Sequence, residues 1–191
     1  FAQEEGFAGN GWKYMVTLTV ENGKIVAADW NGANKDGGFD KKYRSMNGMY
    51  PMVANGGAQS DWHVQAEATE KYFLKKQDPT DIEYIDDEGH VDTISGVSIH
   101  VVEFFDLAEK ALAAGPVGSG PWKDGTFHAE EAEFPGSGWK YTADLTVVNG
   151  NIVAANWNGV HKDGGDDKKT VSEAGGYPMV ANGGAQSDWH V

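Results

Sequence analysis

The chain predicts an α+β fold, arranged as two homologous units in tandem, and three observations carry that prediction. Residues 7–64 and 134–191 form one ungapped repeat, displaced by 127 positions and identical at 42 of 58. Self-similarity at so long a period marks duplicated domains rather than a solenoid of short repeats. Each copy opens with an alternating apolar–polar run followed by Asn-Gly, the strongest short hairpin signal. Helical patterns come only after the first hairpin, which favours an antiparallel sheet with segregated helices.

The elements follow in order. Trp12, Tyr14, Val16, Leu18 and Val20 alternate with polar or smaller residues and predict a half-buried strand. Asn22-Gly23 turns the chain, and Ile25–Trp30 returns as its partner. The second copy repeats this with Trp139, Tyr141, Leu145, Val147, Asn149-Gly150 and Ile152. Lys35-Asp36-Gly37-Gly38 reads as a loop. Ser60 or Asp61 caps a helix to about Lys76, with Trp62, Ala66, Thr69 and Phe73 on one stripe and Glu67–Lys71 paired outside. Short strands are expected at 82–85 and 91–94, around an acidic turn at Asp86, Asp87, Glu88 and Gly89. After the small-residue corner at 95–98, a helix of about sixteen residues is expected to bury Val101, Phe105, Ala108 and Leu112 and stop at Gly115.

The first unit therefore spans 1–115, a Gly/Pro-rich linker 116–125, and the second unit 126–191. The segment 65–115 occurs once, so the second unit has no counterpart of it here. Three completions are open: exchange of 65–115 with another molecule, pairing with the chain's own 65–115, or residues past 191. Phe1 falls inside a strand-like run, so both termini read as cut.

A net charge of −14 argues against nucleic acid and anionic membrane surfaces, whose recognition needs clustered Lys and Arg. The chain has no cysteine, hence neither disulfides nor thiolate metal sites. The six histidines show no paired ligand spacing, and the Asp-containing Gly-rich loops lack the ligands of an EF-hand. Gly96-Val97-Ser98-Ile99-His100 has His where a nucleophile elbow needs its second Gly.

The segment with the most chemistry is Asp92-Thr93-Ile94-Ser95-Gly96-Val97-Ser98, expected as strand end, tight turn and helix start. Unpaired N–H groups there would stabilise an anion beside the Ser98 hydroxyl; the alternative is that Ser95 or Ser98 only caps the helix. This segment resembles the Asp-x-x-Ser-Gly-Ala-Thr signature of the FMN-binding domain family. Asp92, Ser95 and Gly96 stand as in that signature, with Val97 in place of Ala and Ser98 in place of Thr. Lys123-Asp124-Gly125-Thr126-Phe127, the hairpins, the run from Tyr50 to Gln77 and the final helix also resemble the tandem flavinylated surface lipoproteins of Gram-positive bacteria.

The resemblance implies tandem FMN-binding-type domains on an extracellular, lipid-anchored protein of the cell surface. It implies FMN bound covalently by a phosphoester to Ser98, installed from FAD by a flavin transferase. Electrons would arrive from a membrane quinol-oxidising donor and leave to ferric iron or another extracellular acceptor. For the flavin ring, Tyr50, Met52, Asn55 and Gly56 offer apolar, amide and close-approach character on one loop, and Trp30 a second wall; each is also readable as ordinary core. Tyr177, Met179, Asn182 and Trp157 match them in the second unit, which has no acceptor motif after it. The rival expectation is a non-redox surface module that grips a glycan or peptide with its many Trp and Tyr.

Overall fold

A computed structural model describes residues 1–191. In the first unit β1 (Ala2–Gln3), β2 (Trp12–Glu21) and β3 (Lys24–Asn34) form an antiparallel sheet in that order. Asn22 and Gly23 both take positive φ, 50° and 76°, the turn whose twist matches the two strands. Next come α1 (Lys41–Met46), α2 (Met52–Gly56), α3 (Trp62–Lys76) and α4 (Val102–Ala114). The second unit repeats the order with β4 (Gly125–Glu130), β5 (Trp139–Val148), β6 (Asn151–His161), α5 (Lys168–Glu173) and α6 (Met179–Gly183). The α+β class is as expected. Nothing in the second unit corresponds to α3 and α4.

The layers run helices, first sheet, second sheet. Tyr14, Val16 and Trp30 face one way from the first sheet and meet Phe73 of α3 and Val101, Phe104 and Phe105 at α4. Met15 and Ala33 face the other way and meet Val148, Val153 and Ala154 of the second sheet. Thr146 donates its hydroxyl to the Gly38 carbonyl at 2.7 Å across this seam. Gly37, at φ +69°, fits there because any Cβ would lie 2.6 Å from the Asp144 carbonyl oxygen.

Helix α3 lies along β3, the sheet's edge, and satisfies its outward groups. Glu70 accepts the Trp30 N–H at 2.6 Å, and Gln77 accepts the Ile25 N–H while donating to the Ile25 carbonyl, both at 2.8 Å. Lys42 bridges Asp29 and Glu70. Burial opposes its charge, but those two carboxylates outweigh it and raise the lysine. An edge strand sealed in this way offers no template for a further strand.

Several expectations change. The loop at 35–38 forms, but the run 50–57, expected as a loop, contains α2, and α1 lies in a stretch with no element expected; Asp40 starts α1 by accepting the Tyr43 N–H at 2.8 Å. The strands expected at 82–85 and 91–94 do not form, because no free sheet edge is within reach of the segment between α3 and α4. It is held instead by single bonds, Ile85 N–H to the His90 carbonyl and Val101 N–H to the Gly89 carbonyl, both 2.8 Å. The last helix starts at Val102 rather than at Ser98, and its inner face is Phe104, Phe105, Leu107, Ala108 and Ala111. Leu112 is outside, 37% exposed. Residues 65–114 stay with the first sheet, so the second unit does not pair with them.

The front of the second sheet is consequently uncovered. Trp157 is 60% exposed where its counterpart Trp30 is 0%. Removing a fully buried aromatic costs about 3–5 kcal/mol, an exposed one far less. Trp30→Ala should therefore lower unfolding free energy by that amount and Trp157→Ala by under about 1 kcal/mol. Urea titration of both variants checks this; equal losses would contradict it.

Candidate functional site

Ile94–Val97 is a β-turn, closed by Val97 N–H to the Ile94 carbonyl at 3.2 Å, with Gly96 at φ +81° in the position that requires glycine. Ile94 and Val97 bury their side chains in the main core, which leaves Ser95, Gly96 and Ser98 exposed. The two apolar anchors thus hold Ser98 at the surface. Val97, the larger residue where the resembling motif has Ala, spends its extra volume in that core. Asp92 is exposed.

One side chain organises the turn's exit. Gln65, fully buried in α3, accepts through Oε1 the Ser98 N–H at 2.7 Å and the Ile99 N–H at 3.1 Å. The Ser98 hydroxyl donates to the same oxygen at 3.4 Å. Its amide nitrogen donates to the Ser60 carbonyl at 2.8 Å, and the Ser60 hydroxyl reaches the Gly96 carbonyl at 3.5 Å. The expectation of free N–H groups in a helical first turn is corrected here. Ser98 precedes α4 by four residues and caps nothing, and its N–H is taken by an uncharged acceptor.

His100 and Glu103 pair at 2.7 Å just beyond the turn. The hydrogen bond to Glu103 holds the imidazole proton and raises its pKa, against partial desolvation. A proton-bearing imidazole paired with a carboxylate thus stands two residues from Ser98.

The residues expected to wall a flavin ring divide. Tyr50 is half-buried, edge-on to Trp12 with centroids 5.8 Å apart. Met52 opens α2 half-buried against the core, while Asn55 and Gly56 are exposed at its far end. This segment leads to α3 through Ser60, whose hydroxyl reaches the Gly96 carbonyl of the turn at 3.5 Å. Trp30 is corrected to core: it has no exposed surface, with Trp62 at 5.2 Å and Phe104 at 5.5 Å. Its indole N–H has no hydrogen-bond partner. In the second unit Tyr177 and Met179 are half-buried, and Asn182 and Trp157 exposed.

The sequence reading missed a buried lysine in each unit. Lys41 is 2% exposed and donates to the Tyr14 hydroxyl at 2.7 Å. Its ammonium lies 4.7–5.2 Å from the rings of Trp12, Tyr14, Tyr50 and Trp62. Lys168 repeats this with the Tyr141 hydroxyl at 2.8 Å and the rings of Trp139, Tyr141, Tyr177 and Trp189 at 4.5–5.5 Å. Electron-rich ring faces stabilise a cation that has lost its water. The available signal was Asp-Lys-Lys shared by the two copies together with the shared aromatics, Trp12, Tyr14, Tyr50 and Trp62 among them.

Burial pushes the Lys41 ammonium down to about 8 from 10.5, with Glu103 and Glu4 acting the other way. Between those values the unfolded chain binds more protons than the folded one, so this group makes stability rise with pH across that window. Nitrogen-detected NMR should give a Lys41 midpoint near 8. An ordinary lysine midpoint would contradict the desolvated box.

No family model matches the chain, and no curated protein matches it. Among solved structures it is similar to a protein from Clostridium thermocellum, solved in solution by NMR by the Northeast Structural Genomics Consortium. The two are 56% identical, over 61% of this chain and 88% of that one, with a TM-score of 0.48.

Proposed function

We propose that the chain is an extracellular electron-transfer flavoprotein that carries FMN on Ser98 through a phosphoester. The observation that carries this reading is Ser98, exposed directly after a glycine turn that Ile94 and Val97 anchor in the core, within a segment that resembles a flavin-acceptor motif. An exposed hydroxyl on a fixed backbone is what an acceptor residue must offer to a second protein. Ser98 Oγ would form the new bond to the flavin phosphorus of FAD while the pyrophosphate P–O bond breaks. AMP leaves, and the hydroxyl proton passes to a base of the transferase or to solvent. His100, whose imidazole pKa Glu103 raises, is the nearby group able to donate a proton or hydrogen bond to the incoming phosphoryl group. FMN when bound supplies reversible electron uptake and release. Tyr50, Met52, Asn55 and Gly56 are the residues placed to border it on the α2 side. Electrons from a membrane quinol-oxidising donor, passed to ferric iron or a similar acceptor, complete the proposed role at the surface of a lipid-anchored protein.

A second reading has its own observation. The exposed ring of Trp157 lies 5.2 Å from Trp189 on the uncovered sheet face, an aromatic platform suited to a glycan or peptide. Co-expression with an active flavin transferase separates the two. The carrier should gain the mass of FMN less water and keep its yellow colour through denaturation; Ser98→Ala should lose the adduct and Ser98→Thr keep it. A chain that remains colourless beside a transferase active on its own substrate would favour the platform. An adduct that survives Ser98→Ala would remove Ser98 as acceptor.

A further inference from the structure

We infer that Gln65 is the positioning residue of the acceptor, and that its amide must be uncharged for the phosphoester to form; this rests on the reading of Ser98 as the acceptor. Three protons converge on one Gln65 oxygen: those of the Ser98 N–H, the Ile99 N–H and the Ser98 hydroxyl. The bond lengths rank them. The two backbone bonds, at 2.7 and 3.1 Å, fix the turn's exit, while the hydroxyl, at 3.4 Å, is only loosely retained. Releasing that hydroxyl to a phosphorus atom therefore costs the weakest of the three.

The side chain has no freedom to turn over. Its nitrogen is engaged by the Ser60 carbonyl at 2.8 Å, and a flipped amide would set N–H against N–H at Ser98 and an oxygen against the Ser60 carbonyl. Gln65 is also fully buried, so water cannot replace it. The same oxygen that aligns the backbone lies 3.4 Å from the hydroxyl to be esterified. A carboxylate there would accept the same N–H bonds but oppose a phosphoryl group arriving within hydrogen-bond range. Glutamine supplies the acceptor without the charge.

Two variants separate holding from neutrality. Gln65→Glu, read at a pH where infrared spectroscopy shows its carboxylate ionised, keeps an acceptor for both N–H groups while losing the donor to the Ser60 carbonyl; Gln65→Leu removes both. Backbone exchange at Ser98 and Ile99 should stay slow in Gln65→Glu and accelerate by about tenfold or more in Gln65→Leu. The initial rate of flavin incorporation beside the transferase should fall about tenfold or more in both. Incorporation by Gln65→Glu at the wild-type rate would overturn the requirement for a neutral amide. Incorporation by Gln65→Leu at that rate, with its amides released, would overturn the positioning role. If the wild-type chain takes no flavin beside a transferase that labels its own substrate, the acceptor reading fails and this inference with it. If the wild type is labelled and both variants keep pace, only the inference fails.

Discussion

The first unit depends on what α3 does with its buried polar side chains. Gln65 and Glu70 of α3, with the half-buried Gln77 at its C-cap, satisfy backbone groups elsewhere: the exit of the 94–97 turn, Trp30 on the sheet edge, and Ile25 at the hairpin end. Backbone N–H groups buried without partners are costly, so each of these contacts is obligatory once the helix docks. One helix thereby fixes the position of the 94–97 turn and Ser98 relative to the sheet. Around it the apolar work is ordinary, with Phe73, Phe104 and Trp30 filling the space between α3, α4 and β3.

The internal repeat is a control for this view. Features built within the repeated segment recur in both units. Lys41 and Lys168 have the same aromatic box, and Ser45–His63 recurs as Ser172–His190 at 2.9 and 2.8 Å. Features that need α3 and α4 do not recur. The charge triad of Asp29, Lys42 and Glu70 has only an amide counterpart, Lys169 on Asn156 at 2.7 Å.

Much of the fold was legible because its signals are local. The hairpins were set by alternation and Asn-Gly, and α3 by its stripe of Trp62, Ala66, Thr69 and Phe73, all buried. The linker and the two-unit division read from the repeat. What failed was non-local. Val91 and Ile94 look like strand residues, yet they are core anchors for a loop with no free edge to join. Ser98 looks like a helix start, yet Gln65, distant in sequence, takes its N–H. Lys41 reads as a surface charge until four rings close on it from three elements. Of the candidate site, the turn itself was visible; the residue that holds it was not.

Native-state hydrogen exchange across a denaturant series tests the central role of α3 most directly. The Ser98, Ile99, Trp30 and Ile25 amides all end on α3 side chains, so they should open as one group with the free energy of α3 itself. Exchange of Ser98 and Ile99 at the rate of a free loop, while Trp30 and Ile25 remain protected, would contradict it.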